Sequence, residues 1–254
     1  MKNLLQESYE SYYWLGFIFA DGHISKNNRL KVCLNNLDEE HLQKLSKFLG
    51  NIKIRKYKNN VELSIMDTKN IGLLKEKYEI SNKKTYNPVN LKAIKYKRKM
   101  IALIIGFIDG DGHITNVYKR KDFSLTIKCH SSWIDILNIF SELLVGKKTA
   151  RINKKGYSYF SITNSITLKK IKRIALLMKL PILKRKWDKI NLNFISRQET
   201  SKITTKKISK LLANGYSQKE IANILGLSKS AISLQIKRNN IMNKINIKVG
   251  GTDV

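Results

Sequence analysis

WLGFIFADGHI, residues 14–24, returns ninety positions later as IIGFIDGDGHI, residues 104–114. Gly16, Phe17, Ile18, Asp21, Gly22, His23 and Ile24 fall on Gly106, Phe107, Ile108, Asp111, Gly112, His113 and Ile114. Each copy is an apolar run closed by an aspartate and a glycine. Self-similarity at a fixed period marks a chain built from repeated structural units.

The pattern around each copy repeats as well. After a polar turn, RLKVCLN (29–35) alternates, with Leu30, Val32 and Leu34 pointing one way and Arg29, Lys31, Cys33 and Asn35 the other. FSLTIKCH (123–130) sets Phe123, Leu125, Ile127 and Cys129 against Ser124, Thr126, Lys128 and His130 in the same way. Helical segments follow, DEEHLQKLSKFLG (38–50) and WIDILNIFSELLVG (133–146), each ending in a glycine suited to a C-cap. Two further strand-like segments come next in each half, NIKIRKYK with NNVELSIMD and KTARINKKG with YSYFSITN. Helix-like runs at 68–78 and 165–179 complete the halves. The expected fold is α+β, two pseudo-symmetric αββαββα halves with antiparallel four-stranded sheets, spanning 1–99 and 100–196. Residues 197–254 form a third, all-helical piece, entered through a polar linker at 196–203 and closed by a loose tail, KVGGTDV.

The charge narrows the partner. Among 254 residues, 49 Lys and Arg face 19 Asp and Glu, a formal charge of +30, and 42% of residues are hydrophobic. That is enough apolar matter for a core and a charge that calls for a polyanion. AT-rich codon usage inflates lysine but does not explain the shortage of acids. No apolar run approaches the ~18 to 20 residues needed to cross a bilayer, and MKNLLQESYESYY is too polar for a secretory leader. Nucleic acid is therefore expected, with no membrane partner, in an intracellular compartment. Cys33 and Cys129 have no partner at ligand spacing and read as small buried hydrophobes of a reducing compartment.

Taken as a helix, residues 8–20 put Tyr9, Tyr12, Tyr13, Gly16, Phe17 and Ala20 on one broad face. A glycine inside a helix costs about 1 kcal/mol relative to alanine. Close approach of the two copies of this helix justifies Gly16 and Gly106. Such packing relates the halves by a pseudo-two-fold axis and sets Asp21 and Asp111 side by side. The following glycines are expected to stop each helix in the left-handed conformation. A carboxylate at a helix C-terminus opposes the dipole by some tenths of a kcal/mol, and two of them repel further. A bound divalent cation reverses that sign, and oxygen ligands suit Mg²⁺. Carboxylates converging on metal beside a basic, strand-lined surface imply hydrolysis of phosphodiesters. A single Asp-Gly pair is an ordinary turn; two at matching places in a repeated unit are not. His23 and His113 follow the helices at equivalent positions and read as strand-edge or DNA-contacting groups.

WLGFIFADG and IIGFIDGDG resemble the signature of the LAGLIDADG homing endonucleases in their single-chain, two-motif form, over roughly residues 8–196. The resemblance implies a central interface made by the two signature helices and two saddle-shaped sheets in the DNA major groove. It implies metal binding, Mg²⁺ or Mn²⁺, by the last Asp of each motif, Asp21 and Asp111, with the carbonyls of Ala20 and Gly110 as further ligands. The earlier Asp of the signature is Asp109 in the second copy and Phe19 in the first, a departure at a position that does not hold metal. The family's basic residue near the end of each half maps to Lys84, preferred over Lys83, and to Lys186, cations suited to stabilising negative charge in the transition state.

DNA contacts are expected from the polar strand faces: Lys26, Arg29, Lys31, Asn35, Lys53 and Arg55 in the first half, Lys119, Arg120, Lys128, Arg151 and Asn153 in the second. In the third piece QKEIANILGLSKSAISLQI (218–236) resembles a helix-turn-helix, with helices at about 218–225 and 229–238 and Ile221, Leu225, Ile232 and Ile236 as core. Lys229, Ser230, Ser233 and Lys237 would face the groove. The expected function is a monomeric, site-specific double-strand DNA endonuclease of a mobile intron or related element, acting on a long duplex site. It would lie with the DNA of its host genome, in the cytoplasm of a prokaryote or phage-infected cell, or in an organelle. The splicing residues of an intein are absent at these ends. Two alternatives share the fold: a non-cleaving transcription regulator, disfavoured by the retained Asp21 and Asp111, and a maturase acting on intron RNA.

Overall fold

A computed structural model describes residues 2–117, 122–193 and 197–241. They group into two compact units, 1–193 and 194–254. The first unit holds both copies of the repeat. Its elements are α1 (Tyr9–Asp21), β1 (Gly22–Ile24), β2 (Arg29–Asn35), α2 (Glu39–Leu49), β3 (Ile54–Lys56), β4 (Asn60–Met66) and α3 (Thr68–Tyr78). The second copy repeats them as α4 (Lys97–Asp111), β5 (Gly112–Val117), β6 (Asp122–His130), α5 (Ile134–Val145), β7 (Arg151–Ile152), β8 (Tyr157–Ile162) and α6 (Ser165–Leu177), followed by a single turn, α7 (Lys184–Trp187). The two antiparallel sheets have the same strand order, β1-β2-β4-β3 and β5-β6-β8-β7. The architecture is the α+β repeat the alternation implies.

Burial explains each sheet. In β2, Leu30, Val32 and Leu34 face the core and the residues between them face out. Val61 and Leu63 of β4 and Leu42, Leu45 and Leu49 of α2 close the first core; Leu125, Ile127, Phe160, Leu137 and Phe140 are their counterparts in the second. Each such side chain stabilises the fold by roughly 1.5–3 kcal/mol relative to exposure. Gly50 and Gly146 end α2 and α5 in the left-handed conformation, φ +104° and +80°.

The signature helices are buried on every side; Ser11 through Phe19 are all inaccessible in α1. They cross at the paired glycines. A Cβ on Gly16 would lie 2.7 Å from the Leu103 carbonyl carbon and 3.0 Å from Phe107 N. A Cβ on Gly106 would lie 2.7 Å from the Tyr13 carbonyl carbon and 3.0 Å from Phe17 N. Backbone against backbone leaves no side chain to move aside, so glycine is required at both places.

Gly22 and Gly112 act differently from the expectation. Both have φ −76°, extended and not left-handed, and open strands β1 and β5 directly. Their bareness serves sterics: a Cβ would sit 2.7 Å from Ile18 O at Gly22 and 2.5 Å from Ile108 O at Gly112. The chain thus passes from helix to strand within one residue, which keeps each aspartate at the sheet edge.

The second unit contains α8 (Arg197–Ala213), α9 (Gln218–Leu225) and α10 (Lys229–Asn239). The linker expected at 196–203 is overturned, because α8 runs through most of it. Its polar N-terminal turns carry no periodicity of their own, and the helix reaches the small core through Ile208. That core joins Ile208, Ile221, Ala222, Ile232, Ile236 and Ile241, with Leu211, Leu212 and Leu225 packed against it. Ser217 and Glu220 form a capping box at the start of α9, and Gly226, φ +62°, ends it. Ser228 caps α10 by accepting from Ala231 N. The tail at 248–254 lies outside the described residues.

Candidate active site

Because α1 and α4 cross at glycines, their C-terminal ends meet. The Cβ position of Gly110 falls on the Cβ of Ala20, 3.4 Å from Asp21 Cγ. Asp21 and Asp111 therefore occupy adjoining helix ends. Both remain open to solvent, yet enough protein surrounds each to disfavour its charge. Burial, reinforced by the charge of Asp111, pushes Asp21 up to about 6. Burial likewise raises Asp111.

Each helix end also receives one lysine. Lys84 Nζ donates to the carbonyls of Phe19 and Ala20, both at 2.6 Å. Lys186 Nζ donates to Ile108 O at 3.1 Å and to Asp109 O and Gly110 O at 2.6 Å. Free carbonyls at a helix C-terminus carry the negative end of the dipole, so an ammonium is the group that best satisfies them. Burial lowers both lysines from their usual range, against the pull of the two aspartates. Each helix end thus carries one carboxylate and one cation, repeated across the pseudo-two-fold. The carbonyls of Ala20 and Gly110 already accept from ammonium groups.

Asp109 has a separate place. Fully buried, it accepts from Tyr13 Oη at 2.5 Å, Leu183 N at 2.9 Å and Trp187 Nε1 at 2.5 Å. It ties α1, α4 and the segment that carries Lys186 into one knot, while burial pushes its pKa up to about 6. In the first half Phe19 takes the equivalent position and packs edge-on against Tyr78, ring centroids 5.5 Å apart. The departure between the two motifs is thus a difference of polar knot and apolar contact.

Asp111 opens into a cleft of about 390 Å³ lined by Lys84, Thr85, Lys128, Cys129, His130 and Tyr157. The polar face of the second sheet supplies much of this lining. Lys128 lies over the Tyr157 ring at 4.2 Å, and Thr126 bonds Ser161 at 2.9 Å across β6 and β8. Arg151 is exposed on β7. On the first sheet Arg29, Lys31 and Arg55 are exposed, as are Lys26 and Lys53 beside the strands. Lys31 is paired with Glu62 at 2.6 Å, an acid that no local pattern in the sequence marks. Lys119 and Arg120 lie outside the described residues. Asn35 and Asn153 have local work: Asn35 Oδ1 accepts from Leu37 N, and Asn153 Oδ1 from Lys155 N and Tyr157 N. Their side-chain oxygens hold local turns. His23 and His113 are exposed on the first strand of each sheet.

The cysteines are free, as expected, but not buried as expected. Cys33 is exposed on β2 because it belongs to that strand's outward set. Cys129 is half-buried in the cleft, and burial with Asp111 nearby raises its thiol to about 12. Among the described residues no cluster of three or more His, Cys, Asp or Glu side chains is placed to hold a metal. No helix among them is long and apolar enough to cross a membrane. In the second unit Lys229, Ser230, Ser233 and Lys237 are all exposed on α10.

Two four-stranded antiparallel sheets flanking a glycine-crossed helix pair match the fold of the LAGLIDADG homing endonucleases. Among solved structures, the LAGLIDADG homing endonuclease I-GzeII in complex with its DNA target matches over 84% of this chain and 96% of its own, with 15% identity and a TM-score of 0.50. Meganuclease I-SmaMI bound to uncleavable DNA matches over 76% of this chain and 95% of its own, with 16% identity and a TM-score of 0.48. No family model and no curated protein matches the chain.

Proposed function

We propose that the protein is a site-specific double-strand DNA endonuclease of the homing type, using Mg²⁺ or Mn²⁺ held by Asp21 and Asp111. The observation that carries this reading is the adjoining pair of carboxylates at the ends of two crossed helices, each backed by a lysine. Two carboxylates with no third acidic or imidazole ligand suit Mg²⁺, which keeps several waters and completes its shell with substrate phosphate oxygens. Because Ala20 O and Gly110 O accept from ammonium groups, the ion would take the carboxylates, and those carbonyls would stay with the lysines. Bound there, the ion supplies Lewis-acid activation of the phosphodiester. Lys84 and Lys186 hold positive charge beside the place where charge develops on the phosphate.

Around this centre Arg29, Arg55 and Arg151 are suited to bidentate contacts with guanine edges, and Lys26, Lys31, Lys53 and Lys128 to phosphates. The second unit adds a helix-turn-helix that presents Lys229, Ser230, Ser233 and Lys237 of α10 to DNA. With both motifs in one chain, a monomer suffices for both strands. The similarity of fold to the DNA-bound homing endonuclease I-GzeII supports the same reading. So does the charge of +30. An intron-encoded, intracellular enzyme acting on its host genome follows from the class.

The test is cleavage of a pool of duplexes carrying long randomised sites, with Mg²⁺ and with chelator. Recovery of one related set of cut sequences, only with Mg²⁺, is the expected result. Tight, selective binding without cutting would move the protein to the regulator or maturase class.

A further inference from the structure

We propose that each site lysine is positioned by the opposite half of the molecule: Asp38 of the first half sets Lys186, and Trp133 of the second half sets Lys84. The two gripping residues are structural equivalents. Each is the last residue of a one-turn helix, Asn36–Asp38 or Ser131–Trp133, that leads into α2 or α5. Each is buried, at 7% and 4% exposure. Neither contributes to the core of its own half alone.

Asp38 receives the guanidinium of Arg185, the residue before Lys186, in a two-pronged contact: Nε to Oδ1 at 2.8 Å and Nη2 to Oδ2 at 2.7 Å. Paired, parallel bonds of this kind fix orientation as well as distance. Trp133 Nε1 donates to the carbonyl of Lys84 itself at 3.1 Å and to that of Thr85 at 3.2 Å, where Ser132 Oγ also donates at 3.2 Å. The ammonium groups point the other way. Lys84 Nζ reaches the end of α1 in the first half, and Lys186 Nζ the end of α4 in the second. Every site lysine is therefore gripped from the half opposite the helix end it serves, and the Lys186 segment is tied to its own half as well, where Asp109 accepts from Leu183 N and Trp187 Nε1.

The arrangement has different hardware on its two sides. An ion pair sets one lysine, and an indole bonded to backbone sets the other. Loosening either grip frees one ammonium while leaving the other in place, so the two DNA strands lose cleavage unequally. Asp38 and Trp133 are positioning residues: among the described residues neither hydrogen-bonds to the site carboxylates or the helix-end carbonyls, although Trp133 lines the cleft into which Asp111 opens.

The inference rests on the endonuclease reading for its strand assay, and a second assay stands apart from it. Asp38→Asn keeps size and planarity, Trp133→Phe keeps an aromatic ring while removing the indole N–H and part of its volume, and Arg185→Lys removes the paired contact from the other side. On supercoiled plasmid bearing one selected site, Asp38→Asn should slow one strand's cut by about tenfold or more, leaving nicked circle. Trp133→Phe should leave nicks on the other strand, and Arg185→Lys should reproduce Asp38→Asn. Amine-selective labelling read by mass spectrometry should show Lys186 several-fold more reactive in Asp38→Asn with Lys84 unchanged, and the reverse in Trp133→Phe. Equal slowing of both strands, or equal labelling of both lysines, overturns the positioning even if the wild type cuts DNA. Crossed labelling in a protein that cuts nothing upholds it and removes the endonuclease reading alone.

Discussion

Exchanging the small residues at positions 20 and 110 probes how closely the two helix ends meet. Ala20 and Gly110 are equivalent positions of the repeat, and a methyl on Gly110 would overlap the Ala20 Cβ, with Asp21 N at 3.3 Å and Asp21 Cγ at 3.4 Å next nearest. Gly110→Ala alone gains about 1 kcal/mol in helix propensity and incurs an overpacking cost of roughly 1–3 kcal/mol. Ala20→Gly alone loses about 1 kcal/mol in propensity. Combined, the methyl has moved across the pseudo-two-fold axis; the overlap with the Ala20 Cβ is gone, and a tight 3.3 Å approach to Asp21 N is left for a small shift to relieve. The double variant should therefore be nearly as stable as the wild type, with a favourable coupling of roughly 1–3 kcal/mol between the sites. Urea unfolding followed by tryptophan fluorescence measures this, because Trp14, Trp133 and Trp187 all lie in the first unit. Additive effects of the two substitutions would refute the contact.

Two further predictions follow from the cluster beneath the site and from the basic face of α10. His41 is buried against Tyr13, Trp14 and Phe17, its Nδ1 has no partner among the described residues, and burial pushes it down to about 3 from its ordinary 6.5. Below 6.5 the unfolded chain binds a proton that the folded one refuses, so this contribution to stability falls as pH falls toward 3. Between pH 7 and 5 that loss should be about 2 kcal/mol, measured by urea unfolding, and His41→Leu should lack it; an unchanged pH slope in the variant would exclude the assignment. The double variant Lys229→Ala, Lys237→Ala should lower DNA affinity and reduce the salt slope of binding by about 2, without changing the cleavage rate at saturating protein. An undiminished slope in a filter-binding titration would take α10 off the DNA.

Much of the first unit is legible in one line of sequence because the physics there is local. Alternation in RLKVCLN reports which residues β2 buries, and the glycines of the two signature runs report a helix crossing. The carboxylates and the lysines are found because the repeat supplies each twice. What escapes is what depends on distant pairing. Nothing near Asp38 announces Arg185, 147 residues away, and an indole at 133 gives no sign that its N–H serves residues 84 and 85. Glu62 is hidden for the same reason, since only the pairing of β2 with β4 brings it under Lys31. Alternation alone puts Thr126 on the polar face, whereas its partner Ser161 is fixed only by the register of β6 against β8. The N-terminal turns of α8 look like a linker in the sequence because polar helices carry no periodic signal until they meet their core.

The central claim is that Asp21 and Asp111 together hold the metal that cuts DNA. On a selected site with Mg²⁺, the wild type should convert duplex to double-strand product, and the isosteric variant Asp21→Asn, Asp111→Asn should lose at least about a hundredfold in rate while binding the same duplex. Cleavage by that variant at the wild-type rate would contradict the account.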